Sequence, residues 1–116
     1  MGAPVKDNIT IDVLNQIDIR VGTIVRVENV EKSDKLLKLT VNFGDFSRSI
    51  LSAMRNEREN PQEIVGKQAL FVVNMAPRKM AGEMSEGMLF DIGYADGIIP
   101  VLAQPEKPVP NGSRGG

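Results

Sequence analysis

Two adjacent cations, Arg78 and Lys79, stand in the passage N-M-A-P-R-K-M-A-G-E-M-S-E-G-M-L-F, which runs from Asn74 to Phe90. Around them lie four methionines (Met75, Met80, Met84, Met88), with Gly82, Ser85 and Gly87 where the backbone can bend. Cations neutralise phosphates or carboxylates, the side chains of Asn74 and Ser85 hydrogen-bond to polar ligands, and methionine gives pliable apolar contact. A connection that only reverses the chain needs about 4–6 residues. A segment this long, with this chemistry, reads as a binding surface carried on a scaffold. The alternative is that the methionines fill the core and the cations are simply solvated.

Catalysis has little to draw on. Among 116 residues there is no cysteine and no histidine, which removes disulfides, thiolate nucleophiles, Ser-His triads and nearly all zinc or haem sites. No metal and no cofactor are expected. Carboxylates, lysines and hydroxyls remain, and their spacing matches no catalytic arrangement; a Ser-Lys pairing such as Ser85 with Lys79 is the kind of nucleophile–base arrangement still open to it. The expectation is a binding protein and not an enzyme.

Charge supports a phosphate-bearing partner. The net charge of −1 conceals eleven Lys or Arg against seven Asp or Glu between Arg20 and Lys79, with the acids in excess elsewhere. A basic face can therefore exist under a neutral total, unless the cations are scattered evenly around the surface.

The elements that must position these residues follow from patterning. At 116 residues, 41% hydrophobic and 25% charged, the chain has the length and composition of one globular domain. No apolar stretch is long enough to span a membrane and the start lacks a secretory signal, so a cytoplasmic location is expected. Residues 1–9 read as a flexible lead-in and 10–116 as the domain with its C-terminal extension. Thr10 caps a short helix carrying Val13, Leu14 and Ile17 on one side. Asp18 to Val30 alternates as a strand, with Ile19, Val21, Thr23, Val25 and Val27 on one face and Gly22 as a place for a bend or bulge.

Leu37, Leu39, Val41 and Phe43 alternate in a second strand that turns at Gly44-Asp45 into a third, Phe46 to Ala53. Asn60-Pro61 opens a single helical turn closed by Gly66. Ala69 to Val73 is a continuous apolar strand, and Met88 to Ile92 with Ile98 to Leu102 supply the last extended pieces. The tail from Gln104, with three prolines and three glycines, reads as extended or loose. The order predicts an all-β fold: a five-stranded OB-fold barrel with a short N-terminal helix and a short helix between strands 3 and 4. A split sandwich is the competing architecture.

Four passages carry a resemblance: D-I-R-V-G-T-I-V from Asp18, S-D-K-L-L-K-L from Ser33, the Asn74–Leu89 passage, and V-P-N-G-S-R from Val109. In this order the chain, from about Ile17 to its end, resembles the tRNA-binding domain appended to methionyl-tRNA synthetases and found as a free-standing homodimeric tRNA-binding protein. CsaA-type secretion chaperones and endothelial-monocyte-activating polypeptide II share that fold.

The resemblance implies an OB barrel, tRNA as ligand, and Lys35, Asn74, Arg78, Lys79, Ser85 and Met88 as the binding residues. It also implies a homodimer paired through segments flanking the barrel, with an aminoacyl-tRNA synthetase as a further partner. The chemistry is compatible: Lys35, Arg78 and Lys79 would release counterions from phosphates, Asn74 and Ser85 would hydrogen-bond, and Met80 and Met88 would touch a base.

With Phe43, Phe71 and Phe90 falling in apolar strands, little aromatic surface is expected for stacking, which favours recognition of RNA shape and backbone. The tail P-V-P-N-G-S-R resembles that of the chaperones, so a CsaA-type protein that binds unfolded or pre-secretory polypeptide is the alternative. A protein-interaction module with a Met-rich surface is a third reading.

Overall fold

The strand β1 (Ile19–Asn29) is the longest in the computed structural model, which describes residues 2–116, and the fold is built on its two edges. Along one edge, Thr23 to Asn29 pair with β2 (Leu37–Asn42). Along the other, Ile19 to Thr23 pair with β4 (Gln68–Val72). Beyond them lie β3 (Ser47–Ser52) on β2 and β7 (Met88–Leu89) on β4, giving the antiparallel order β3-β2-β1-β4-β7.

The two ends of this row meet. Glu86 N–H donates to Ser49 O at 2.8 Å, Leu51 N–H donates to Ser85 Oγ at 3.0 Å, and Ser49 N–H donates to the Glu86 carboxylate at 2.9 Å. The sheet thus curls into the expected OB-like barrel and leaves its outer strands no long free edge.

Both short helices form where their caps predict them. Thr10 accepts from Val13 N–H at the start of α1 (Ile11–Leu14). Asn60 accepts from Gln62 N–H at the start of a 3-10 turn, Pro61–Ile64, between β3 and β4. Ile64 is fully buried in the core beside Ile24, Leu39, Val41, Phe43, Ile50 and Phe71.

On β2 the alternation holds as expected, with Leu37, Leu39 and Val41 inward. On β1 it does not. The pairing register shifts between Ile24 and Arg26, so that Ile24 is buried and Val25 is 47% exposed. The extra residue of a bulge exchanges the two faces of a strand from that point on. Gly22 lies before the bulge and serves close packing instead, since a Cβ there would sit 2.5 Å from Val41 Cγ1 and 2.8 Å from the Phe43 ring. Only glycine lets those side chains close over β1.

The Asn74–Phe90 passage is more structured than a loop. It contains a small hairpin, β5 (Arg78–Met80) with β6 (Glu83–Ser85), reversed by Ala81 and Gly82 at φ 49° and 83°. Two successive positive φ values are the mark of the tight turn that matches strand twist. After β7 come β8 (Asp91–Ile92) and β9 (Val101–Leu102), paired across a turn that contains Tyr94–Asp96.

The tail is also not loose. Gln68 and Val109 exchange hydrogen bonds at 2.6 and 3.1 Å, and Asn111 Oδ1 accepts from Thr23 and Gln68. Gly112 N–H donates to Val21 O, after which β10 (Arg114–Gly115) pairs with Ile19 and Arg20. Residues 2–9 carry no helix or strand and are exposed; Met1, the first residue of the expected lead-in, lies outside the described residues.

Candidate functional site

The β5–β6 hairpin sends its two cations to opposite faces, because successive side chains on a strand alternate. Arg78 is opposite Ser85 and Lys79 is opposite Met84. Ser85 is 3% exposed, and its hydroxyl accepts from Leu51 N–H and donates to Gly87 O at 3.0 Å. Its hydrogen-bonding capacity is used to clamp the hairpin's base onto β3. Arg78, on the same face, lines a groove beside the barrel, whereas Lys79 shares the outer face with Met84, which is 47% exposed.

The hairpin rests on the start of β2 and on the charged connection that precedes it. Glu83 pairs with Lys38 Nζ at 3.1 Å, and Lys32 Cδ and Nζ would lie 3.8 and 4.0 Å from a Cβ at Gly82. Lys35 is exposed in the same connection. This connection is braced from β3's exit, where Arg55 Nη1 donates to Ser33 O at 2.6 Å and Asn56 Nδ2 donates to Asp34 O at 3.1 Å. Among the described residues neither Lys35, Arg78 nor Lys79 makes an ion pair. Lys32 was not among the residues singled out from the sequence, although its position in a charged turn was visible there.

The groove has a volume of about 450 Å³. Leu51 and Met54 are buried beneath it, Met88 and Phe90 line it at 44% exposure, and Tyr94 stands beside them at 69%. Phe90 was expected inside an apolar strand. It falls instead in the gap between β7 and β8, where its N–H still donates to Leu70 O and its ring is left outside the core. Glu57 and Asp91 complete the lining. Burial, and then the charge of Asp91, push the Glu57 carboxyl above its ordinary value.

Asn74 belongs to a different cavity. Its Oδ1 accepts from Asp18 N–H at 2.9 Å and its Nδ2 donates to Gln16 O at 2.6 Å, tying the segment after α1 to the end of β4. This second cavity, about 1030 Å³, is lined by Ile11, Leu14, Ile17 and Leu70 with Asn74 and Arg114. Nearby, Asp18 takes a bidentate contact from Arg20 at 2.9 and 3.0 Å, and that hydrogen bonding holds the Asp18 carboxyl below its usual range. Of the six residues proposed from sequence, the structure brings Arg78 and Met88 together in the groove, with Ser85 beneath the hairpin. Lys35 lies in the adjoining connection, Lys79 on the hairpin's outer face, and Asn74 apart.

Known proteins place this arrangement. A family described as "Putative tRNA binding domain" matches residues 19–114. The chain is 42% identical over 110 residues to a methionine–tRNA ligase of Parabacteroides distasonis, covering 95% of this chain and 16% of the ligase. It is 39% identical over 112 residues to the ligase of Porphyromonas gingivalis, covering 97% of this chain and again 16% of the relative. The chain therefore spans about a sixth of the length of the curated relatives it matches.

Among solved structures, a MetRS-related protein from Pyrococcus horikoshii superposes with a TM-score of 0.85 at 32% identity, covering 94% of this chain and 98% of that one. The chaperone CsaA from Bacillus anthracis str. Ames superposes at 0.81 with 27% identity, covering 95% and 100%.

Proposed function

Since the chain belongs to the tRNA-binding domain family matched over residues 19–114, we propose that it binds tRNA without catalysing a reaction, using the hairpin and the connection beside it. The observation that carries this reading is that Lys35, Arg78 and Lys79 make no ion pair among the described residues, with Lys32 against the hairpin tip. A cation with no carboxylate partner is free to replace phosphate counterions, and each such contact steepens the salt dependence of binding. Met88 supplies apolar contact to a base. Ser85 and Asn74 act through the backbone they hold, Ser85 setting the base of the hairpin and Asn74 the exit of the N-terminal segment.

The working unit in this proposal is a homodimer, and residues 10–116 are its folding unit. Ile11, Leu14 and Ile17 line the second cavity at 45–66% exposure, and Val13 of α1 is 43% exposed. An apolar surface of that kind is commonly covered by association, most often two-fold. The methionine–tRNA ligases that the chain resembles make delivery of tRNA to a synthetase the natural use of such a unit, in the cytoplasm. No helix among the described residues is long and apolar enough to cross a membrane.

A second reading, a chaperone for unfolded polypeptide, is favoured by the likeness to CsaA and by exposed Met84, Met88, Phe90, Ile98 and Ile99. A gel shift with bulk tRNA against an equal mass of duplex DNA separates the two. The tRNA reading expects retention of tRNA that weakens steeply with salt, and salt-insensitive capture of an unfolded chain with no tRNA shift would overturn it.

A further inference from the structure

Phosphate binding does not account for the groove beside Arg78. A surface that meets only an RNA backbone gains nothing from carboxylates, yet Glu57 and Asp91 both line it. Nor does a backbone need the exposed rings of Phe90 and Tyr94 on the same wall. We propose that this groove is a subsite for one unpaired guanine of a bound RNA, with the base against Tyr94, Phe90 and Met88, its N–H edge on a carboxylate of the Glu57–Asp91 pair, and its phosphate on Arg78. The proposal rests on reading the hairpin face as an RNA surface and adds to it a preference among bases.

Charge complementarity selects the occupant. Guanine places N1–H and the N2 amino group side by side, matching the two acceptor oxygens of one carboxylate. Uracil offers one donor between two carbonyl oxygens that a carboxylate repels, and the amino groups of cytosine and adenine sit beside ring-nitrogen acceptors. The volume of about 450 Å³ falls in the range of roughly 300–1,000 Å³ that small-ligand sites occupy. Leu51 and Met54, 5% and 3% exposed, give it a dry apolar floor. Burial and the charge of Asp91 raise the Glu57 carboxyl, and the two N–H donors of the base would offset both.

The chain has one tyrosine and no tryptophan, so its intrinsic fluorescence reports on Tyr94 alone. At low salt, the pentamers r(UUGUU), r(UUIUU) and r(UUUUU) are titrated against the full chain. The guanine pentamer is expected to quench Tyr94 and to bind about tenfold or more tighter than the uridine pentamer. Inosine, which lacks the N2 amino group, is expected to fall between, and Asp91→Asn and Glu57→Gln to shrink the preference.

Equal affinity of the three pentamers would overturn the proposal without requiring any variant to fold, and so would quenching by an unfolded polypeptide with none by RNA. The tRNA gel shift, run alongside, separates the two levels. Retained tRNA with no base preference sinks the guanine subsite alone, whereas loss of both sinks the RNA reading with it.

Discussion

Two open concavities of the molecule share an apolar wall and differ in how the charges around them are balanced. Beside the hairpin, Arg78 makes no ion pair among the described residues and lines a surface of Met88, Phe90 and Tyr94 with the carboxylates of Glu57 and Asp91. In the cavity between α1 and β10, Leu14, Ile17 and Leu70 supply the apolar surface, and Arg114 lines it together with Asp18, whose carboxyl takes a bidentate contact from Arg20 and also feels the charge of Arg114. Apolar exposure alone does not tell a nucleic-acid surface from a protein surface. What separates these two is the local charge balance: around the hairpin Lys35, Arg78 and Lys79 make no ion pair among the described residues, whereas at the terminal cavity the Asp18 carboxylate offsets Arg20 and Arg114.

The strongest way to break this contrast is at the terminal cavity. If the chain pairs as proposed, Leu14→Asp, which places a charge on the apolar face of α1, is expected to shift sedimentation from dimer to monomer. A variant that still sediments as a dimer would show that this wall is not the pairing surface. Next in size, Arg78→Ala with Lys79→Ala should lower tRNA affinity by about tenfold or more and flatten the log–log salt slope by roughly two units. Both side chains are exposed, so the melting temperature should stay put; unchanged binding at moderate salt would remove the hairpin from the interface.

A paired comparison of the two hydrogen-bonding residues sharpens the contrast at smaller scale. Ser85→Ala leaves the buried Leu51 N–H without its acceptor and should cost about 1–3 kcal/mol in denaturant unfolding. Asn74→Ala, at an exposed site where water can replace the lost partners, should cost less than about 1 kcal/mol. Equal losses would contradict the distinction between the buried and the exposed hydrogen bond.

The smallest effect is expected at Glu57. Its carboxyl is held above the ordinary value by burial and by Asp91, so the fold binds a proton more readily than the unfolded chain does. The ionised form therefore costs stability above that window, and the cost fades as pH falls through the ordinary carboxylate range. Glu57→Gln should raise the melting temperature by under about 3 °C at pH 7 and leave it unchanged near pH 4. A larger gain at the acid end would reverse the sign and refute this account.

How much of this was legible depended on the length over which a pattern could repeat. Leu37, Leu39, Val41 and Phe43 announce β2 because four inward positions outvote any single residue. On β1, Ile24 and Val25 are both apolar and β-branched, so nothing in their types says which faces in, and the bulge that decides it is a property of pairing with β2. The hairpin was hidden because three-residue strands have no measurable alternation and because Ala81, not a glycine, takes the first left-handed position of the turn.

The site suffered a different loss. Asn74 and Ser85 read as ligand contacts because the capacity to hydrogen-bond is visible in a side chain, whereas its use is not. The partner of Asn74, Asp18, lies 56 positions away. Phe90 escaped notice as a surface ring because an apolar run does not reveal the gap between β7 and β8.

The antiparallel contact between Ile19 and Gly115 brings the head and foot of the domain to one place. Ile11 and Gly116 line the same cavity, so the fold is nearly a closed ring of chain, the topology that tolerates circular permutation and insertion into a host. A linker joining the two ends, with new ends opened at an exposed loop such as that around Gly97, should return the same barrel. For a body fused after Gly116, the point of attachment is the wall proposed for pairing, so tethering and self-association compete for one surface while the hairpin stays clear of both.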